Sequence, residues 1–158
     1  MAANKSQNTK PEMIARKYLW SLGFRYRIND KRLPGKPDIV LTRYKTVIFI
    51  HGCFWHGHED CIYFRMPKTN VDFWTNKIER NRKRDIETRE KLRQMGWRTM
   101  IIWECQLKKE IRQKTLEEMT NLLQKSYLDN IRIKRYDAIS ENEENMMVAE
   151  QESNYGQN

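Results

Sequence analysis

The sequence predicts an α/β fold, a sandwich of helices around a mixed β-sheet. Segments with helical periodicity alternate with short apolar segments, in the order helix, three strands, helix, strand, helix. The longest predicted helix, residues 72–95, lies between apolar strands at 46–50 and 97–103. Because this helix joins two neighbouring strands, we expect a right-handed crossover connection there.

The first element is a helix that begins after Thr9. Thr9 and Glu12 match a capping box, in which each residue satisfies a free backbone N–H group of the other. Pro11 lies in the first turn, where its missing N–H has no cost. Apolar residues recur at helical spacing up to Leu22, and Gly23 is a typical helix end.

The remaining elements are indicated by alternation, apolar runs and turn residues. Alternation predicts a half-exposed strand at 24–28, and a loop rich in turn residues follows it up to Pro37. Residue Gly96 should end the long basic helix. The other expected segments are strands at 38–41, 46–50, 97–103 and 130–136, and a last helix near 114–126.

The length and composition exclude several classes of protein. The 158 residues suit one domain, and no apolar run approaches the roughly 20 residues that a bilayer-spanning helix needs. The three cysteines are an odd number, which argues against a disulfide framework. Residues 1–12 contain no apolar signal segment, so we expect a reducing, cytoplasmic compartment.

The charge is divided unevenly along the chain. Residues 1–136 hold 30 basic and 15 acidic side chains, whereas residues 137–158 hold six acidic side chains and no basic one. A body this basic suits a polyanion, most plainly a nucleic acid, although a basic surface without a partner is the alternative. The acidic end is poor in apolar residues and is expected to be a disordered tail.

The densest chemical signal lies between His51 and Cys61. This segment contains all three histidines and two of the three cysteines. Thiolates and imidazoles at short spacing suit a tetrahedral zinc site, and Cys105 beyond the strand at 97–103 could complete a shell of three cysteines and one histidine. Such a closed shell would be structural. The alternative is a set of buried thiols and incidental histidines. The residues that would form the shell are Cys53, His58, Cys61 and Cys105.

Two acidic residues are candidates for a second site. Asp38 begins one strand and Ile50 ends the next, so a hairpin would bring a carboxylate near a backbone carbonyl, which suits Mg²⁺. By itself, Pro-Asp is more often a turn. Asp85 stands seven residues from both Ile78 and Leu92 on the inward side of the long helix. Such an acid needs a partner, which could be a histidine, a metal-bound water or an arginine.

Aromatic residues lie among the basic ones. Phe54 and Trp55 are adjacent in the segment between His51 and Cys61, and Phe73 and Trp74 lie at the start of the basic helix. An apolar pair on a rigid loop could wedge between base pairs, but core packing is the usual role of such residues. Core packing is our interpretation for Trp20, Trp97 and Trp103. The basic residues of the helix are either phosphate contacts or a solvated face: Lys77, Arg80, Arg82, Lys83, Arg84, Arg89, Lys91 and Arg93.

Several motifs together resemble the very short patch repair (Vsr) DNA mismatch endonucleases. The resemblance covers residues 9–107, and its most specific part is the Phe49-Ile-His-Gly-Cys-Phe-Trp-His56 segment. It implies a restriction-endonuclease-like three-layer sandwich around a mixed sheet, with a structural zinc site. The other matching motifs are Thr9-Lys-Pro-Glu12, Leu33-Pro-Gly-Lys-Pro-Asp38, Phe73-Trp74, Arg84-Asp85, Gly96-Trp97-Arg98 and Ile102-Trp103-Glu104-Cys105.

The resemblance implies a role for each candidate residue. Asp38 and the Ile50 backbone carbonyl would bind catalytic Mg²⁺, and His51 and Asp85 would hold metal-bound waters. His56 would act with Glu12 at the scissile phosphate, although the capping box alone explains Glu12. The four residues Cys53, His58, Cys61 and Cys105 would bind structural Zn²⁺. Phe54, Trp55 and Trp74 would intercalate beside the mismatch.

The implied function is strand-specific nicking of double-stranded DNA on the 5′ side of the T in a T·G mismatch, which deamination of 5-methylcytosine creates. The alternatives are a mismatch-indifferent nuclease of the same fold and a zinc-stapled DNA-binding module. We expect a bacterial monomer, associated with the nucleoid when acting, with links to a cytosine methyltransferase and mismatch-repair proteins. The expected domains are a flexible arm (1–8), an endonuclease domain (9–136) and the acidic tail (137–158).

Overall fold

The first helix begins at the predicted N-cap. A computed structural model describes residues 7–155, with side chains through Glu144 and at Met146, so most of the expected arm lies outside the described residues. Helix α1 spans Lys10–Ser21, with Thr9 as its N-cap and proline in its first turn. The Thr9 hydroxyl accepts a hydrogen bond from the Glu12 backbone N–H at 3.4 Å, which confirms Thr9 as the N-cap. The other half of the predicted capping box differs, because the Glu12 carboxylate accepts from the Asn8 backbone N–H rather than from that of Thr9.

The sheet has three strands in the order β1-β2-β3. Strand β1 (Ile39–Leu41) and strand β2 (Thr46–His51) are antiparallel and form the expected hairpin. Strand β3 (Arg98–Trp103) pairs in parallel with β2, so that His51 and Trp103 are opposite each other where both strands end. The mixed sheet predicted from the sequence is therefore confirmed. Its strand ends at His51 and Trp103 bring the segments that follow them close together.

Helix α2 (Val71–Gln94) is the crossover between β2 and β3. Its buried side chains, Ile78 and Leu92, lie on the stripe that the sequence assigned to the interior. Leu92 packs with Val40 and Val47 on one face of the sheet. Because the stripe also contains Asp85, the helix directs a carboxylate toward the end of β2.

The main core lies on the opposite face of the sheet. Ile39, Leu41 and Ile48 point to this face because side chains alternate along a strand. They pack against Leu19 of α1 and Leu123 of helix α3, which spans Arg112–Tyr155. The sheet is thus covered on both faces, by α1 and α3 on one side and α2 on the other.

Three expectations about secondary structure and packing are wrong. Residues 24–28 form a single bridge, between Arg27 and Val40, rather than a strand. Residues 130–136 belong to α3 and not to an edge strand. Residues 131–136 are exposed on this helix, so the alternating apolar side chains do not pack in a sheet. Trp20 is 58% exposed rather than in the core, with the Arg25 guanidinium 4.3 Å from its ring centre.

The end of the chain continues as helix. Helix α3 extends to Tyr155, and every described side chain from Asp137 to Glu144 is exposed. Because this stretch adds nothing to the core, a separate acidic tail stays a prediction. None of the helices in the described part of the chain has the length and apolar character needed to cross a bilayer.

Candidate active site and metal cluster

A cavity of about 1180 Å³ opens where β1 begins and β2 ends. Helix α1 and the chain before it form one wall, and α2 forms the other. Acidic and imidazole groups on its lining face basic ones, which suits a site that binds both a cation and a phosphate. The charged and imidazole residues on its lining are Lys10, Glu12, Lys36, Asp38, His51, His56, Arg84, Asp85, Arg89 and Glu104.

Asp38 lies at the head of β1, and the hairpin brings it beside the end of β2. The Ile50 backbone N–H donates a hydrogen bond to Asp38 Oδ2 at 2.7 Å. Burial, with the nearby charge of Glu12, raises the pKa of the Asp38 carboxyl from 3.8 to about 6, against the opposing effects of the Ile50 N–H and Arg16. A carboxylate that is costly to ionise here would be stabilised by a cation.

His51, His56 and Asp85 form a compact group on the other side of the cavity. The rings of His51 and His56 stack with centres 3.7 Å apart and planes 9° apart. His56 Nδ1–H donates to Asp85 Oδ2 at 2.6 Å, so the direct partner of Asp85 is His56, although the family resemblance pairs it with His51. One ligand atom from each of the three residues lies within 4.8 Å of the others.

The environment sets the charge of this group. Burial and the neighbouring His56 lower the pKa of His51 to about 4, so His51 is neutral near pH 7. Burial works to raise the pKa of Asp85, but the hydrogen bond and charge of His56 hold it below its ordinary value. With Nδ1 bonded to Asp85, Nε2 is the His56 nitrogen that remains for a substrate.

Glu12 is part of the cap and of the cavity at once. Its Oε1 accepts from the Thr9 hydroxyl at 2.9 Å, and its Oε2 accepts from the Asn8 N–H at 3.0 Å and from Arg16 Nη2 at 2.9 Å. The side chain is buried. Both oxygens therefore already have donors. Arg16 stands four residues after Glu12 on α1, a spacing from which this ion pair could have been predicted.

A second group of ligands lies where β2 and β3 end. Cys53, His58, Cys61 and Cys105 each offer a ligand atom within 4.8 Å of the others. Cys105 follows β3, and the other three residues follow β2, so the parallel pairing of these strands brings the set together. The His58 ring stacks on Trp103 with centres 4.0 Å apart and planes 1° apart.

The chemistry of this donor set fits a metal ion. Burial and the adjacent thiols raise the pKa of Cys105 to about 12, and burial also raises the pKa of Cys53. Three thiolates this close would repel one another without a cation. A metal ion removes that repulsion by binding the deprotonated sulfurs, and three sulfurs with one imidazole nitrogen make a closed tetrahedral shell.

The aromatic residues form a cluster beside the cavity. Phe54 contacts Trp55 and Trp74 with ring centres 5.2 and 5.3 Å apart, and Phe73 joins through Trp74 at 5.2 Å. Trp55 and Phe73 are 37% and 54% exposed. Lys77 Nζ lies 5.3 to 5.7 Å from the ring centres of Trp55, Trp74 and Phe73. The cluster thus presents apolar rings and a positive charge on one surface.

Helix α2 holds the loop that carries these groups. Asn81 Nδ2 donates to the Trp55 carbonyl oxygen at 2.8 Å, and the Arg82 guanidinium donates to the Gly57 carbonyl oxygen. Asp85 also bonds His56, so one stretch of α2 contacts three consecutive residues of the loop, from Trp55 to Gly57. Nothing in the sequence separates Asn81 and Arg82 from the other polar residues of the helix, so their contacts with the loop were not predicted.

Comparison with known proteins decides the family. A family model described as DNA mismatch endonuclease Vsr matches residues 1–62. The DNA mismatch endonuclease Vsr of Escherichia coli K12 is 42% identical over 108 residues, which cover 68% of this chain and 69% of that protein. The chain belongs to the Vsr family.

Other Vsr-family relatives carry a different name. The Type II nicking enzyme V.NmeAIP of Neisseria meningitidis is 55% identical over 103 residues, which cover 65% of this chain and 73% of that protein. The Type II nicking enzyme V.XorIIP of Xanthomonas oryzae is 47% identical over 103 residues, covering 65% and 75%. The resemblance noted in the sequence is confirmed, and the family is one of DNA endonucleases.

Proposed function

We propose that this Vsr-family protein nicks one strand of double-stranded DNA on the 5′ side of the T in a T·G mismatch that arises from deamination of 5-methylcytosine. The observation that supports the proposal most directly is that an exposed aromatic side chain lies next to the candidate catalytic cavity. The exposed aromatic ring of Trp55 and the imidazole of His56 are consecutive, and His56 faces the same cavity as Asp38. A recognition surface thus adjoins a site with hydrolytic groups.

Asp38 would hold catalytic Mg²⁺ together with the backbone carbonyl of Ile50. The fit rests on a buried carboxylate whose pKa is raised to about 6 and on the hard oxygen ligands that Mg²⁺ prefers. When bound, Mg²⁺ supplies an activated water and neutralises charge on the phosphate. The Ile50 N–H fixes Asp38 Oδ2. His51, which is neutral near pH 7, and Asp85 would hold water molecules around the metal ion.

His56 would exchange protons or neutralise charge at the scissile phosphate. Asp85 holds its Nδ1–H, which fixes the tautomer and leaves Nε2 for the substrate. Glu12 would act with it from the opposite wall of the cavity. Arg84 and Arg89, both on the cavity lining, would contact phosphates beside the cut.

Phe54, Trp55 and Trp74 would form a wedge that enters the base stack beside the mismatch. Unstacking a base step costs a few kcal/mol, and a T·G wobble pair should open at a lower cost than a Watson–Crick pair. That difference is the source of discrimination. Lys77, close to three of the rings, would attract the DNA to the wedge.

The Cys/His cluster would hold structural Zn²⁺, with Cys53, His58, Cys61 and Cys105 as its four ligands. Phe54, Trp55 and His56 lie between Cys53 and His58 in the chain, so a metal bound there restrains both ends of this segment. We further propose a restriction-endonuclease-like domain at residues 9–136 that acts as a monomer, with the acidic tail outside it. Functional links to a cytosine methyltransferase and to mismatch-repair proteins belong to the same proposal.

The test is a nicking assay on three duplexes of one sequence that differ only at the central pair: T·G, C·G and T·A. With Mg²⁺, the T·G duplex should be cut once, in the T strand, and Asp38→Ala should abolish cutting while mismatch binding persists. Equal cutting of all three duplexes would mean a mismatch-indifferent nuclease. Binding without any cutting would mean a DNA-binding module.

A further inference from the structure

Arg16 is a buried arginine beneath the cavity. One nitrogen of its guanidinium, Nη2, donates both to Glu12 Oε2 at 2.9 Å and to the Asp38 backbone carbonyl oxygen at 3.2 Å. The other terminal nitrogen, Nη1, donates to Asn8 Oδ1 at 2.7 Å. Only 3% of the residue is exposed. One side chain therefore joins α1, the chain before α1 and the residue that precedes β1.

Packing does not explain this arrangement. A buried guanidinium is costly unless its donors are satisfied, and its Nε has no hydrogen-bond partner among residues 7–155. An apolar side chain at the same helix position would fill the space without that cost. The polar contacts of Arg16 are therefore the feature that needs a reason.

We propose that Arg16 is a positioning residue that fixes Asp38 for binding Mg²⁺. The inference rests on the proposed function, in which Asp38 is the metal ligand. The Asp38 side chain is held from β2 by the Ile50 N–H, and its main chain is held from α1 by Arg16. Because Nη2 bonds both Glu12 and Asp38, a single atom sets the spacing between the Glu12 carboxylate and the Asp38 backbone.

An arginine is needed for this geometry. Its planar fork donates in fixed directions from two nitrogens at once, whereas the ammonium of a lysine is one point charge on a flexible stem. Arg16→Lys therefore keeps the positive charge beside Glu12 but cannot reach Glu12, Asp38 and Asn8 together. The substitution therefore tests the hydrogen-bond geometry of Arg16 separately from its positive charge.

The competing explanation is that Arg16 only attaches α1 to the rest of the domain. Tyr26 offers a matched control for this, because its hydroxyl donates to the Arg16 backbone carbonyl oxygen at 2.9 Å. Tyr26→Phe loosens the same turn of α1 and leaves the guanidinium contacts in place. Both variants should lower the melting temperature, so stability alone does not distinguish the two explanations.

The experiment measures the initial nicking rate of the T·G duplex against Mg²⁺ concentration for the parent, Arg16→Lys and Tyr26→Phe. Loss of an outer contact to a metal ligand weakens metal binding by about 10–100-fold, so Arg16→Lys should raise the half-saturating Mg²⁺ concentration by at least about tenfold. Tyr26→Phe should keep the parent value. The proposal would be overturned if the half-saturating Mg²⁺ concentration of Arg16→Lys equalled that of the parent, or if it rose equally in both variants.

A second readout does not depend on cleavage. The Mg²⁺-dependent rise in melting temperature should be clear in the parent and in Tyr26→Phe but should need more Mg²⁺ in Arg16→Lys. If the parent is stabilised by Mg²⁺ yet cuts no duplex, the proposed function fails while Arg16 is still judged by this shift. Should Arg16→Lys not fold, the neutral pair Glu12→Gln/Arg16→Gln avoids an unpaired buried charge. Parent-like Mg²⁺ stabilisation of that double variant would also overturn the proposal.

Discussion

Replacing Asp38 by asparagine should make the protein more stable near neutral pH when no Mg²⁺ is present. Burial raises the pKa of the Asp38 carboxyl from 3.8 to about 6, so the folded protein binds this proton more tightly than the unfolded chain does. Ionised Asp38 therefore opposes folding. Asparagine removes the charge and keeps a side-chain oxygen that can accept from the Ile50 N–H.

The size of the effect follows from the pKa difference. The difference between a pKa of 3.8 and one of about 6 is worth at most about 3 kcal/mol, and partial solvation of the open cavity reduces this to about 1–3 kcal/mol. Below about pH 4 the carboxyl is protonated in both states, so this cost of ionisation vanishes. The cost of ionising Asp38 grows as the pH rises from about 4 to 6, and it reaches its full value above that range.

The assay is urea denaturation of the parent and Asp38→Asn across this pH range, in buffer without Mg²⁺ and without a chelator, which would remove the Zn²⁺ proposed for the Cys/His cluster. The free energies of unfolding should diverge by about 1–3 kcal/mol in favour of the variant between about pH 4 and 7.5. Added Mg²⁺ should then stabilise the parent alone.

Asp85→Asn is the control, because its expected sign is opposite. The pKa of Asp85 is held below its ordinary value by His56, so its ionised form favours folding. That contribution is present above the ordinary pKa of 3.8 and is lost as pH falls through the lower folded value. Asp85→Asn should thus be less stable than the parent at neutral pH. If Asp38→Asn is not stabilised at neutral pH, or its advantage does not change with pH, the account of Asp38 is wrong.

Three further predictions concern the loop after β2. Metal analysis of protein purified without chelator should find about one zinc per chain, and Cys53→Ala should lose the metal and unfold more easily; finding no zinc would contradict the site. Trp55→Ala should keep its fold and zinc but lose its preference for T·G over C·G duplex, measured as a ratio of affinities at one salt concentration; an unchanged ratio would exclude Trp55 as the wedge. Gly57→Ala should lower the melting temperature, because Gly57 has a φ of 60° and a Cβ there would lie 2.6 Å from Arg82 Nε and 2.7 Å from Ile78 Cγ2.

Much of the fold could be predicted because local chemistry and tertiary packing agree. The cap at Thr9 and the hairpin of β1 and β2 depend on patterns of a few residues, which leave few alternatives. The end of the chain shows the limit. Alternating Ile131 and Ile133 resemble a strand, but no strand lies beside them in the described part of the chain, and the helix continues.

The candidate site was predicted in its parts and less well in its contacts. The Cys/His cluster could be proposed because thiols and imidazoles are scarce in this chain, so few ligand sets were possible. The partner of Asp85 was open between a histidine, a metal-bound water and an arginine, and only the structure identifies His56 as its hydrogen-bond partner. The contact of Arg16 with the Asp38 backbone could not be predicted, because it depends on how α1 meets β1, whereas the pairing of Arg16 with Glu12 follows from their spacing on α1.

The order of residues in the loop has a consequence for where the DNA is cut. If Trp55 enters the base stack and His56 acts on the phosphate, the residue that recognises the mismatch and the residue that acts in cleavage are neighbours in the chain. Because the two residues are adjacent in the chain, the distance between the inserted ring and the phosphate that is cut should vary little. Mutations could make the enzyme slower or less selective, but the cut should stay at the same phosphate relative to the inserted ring.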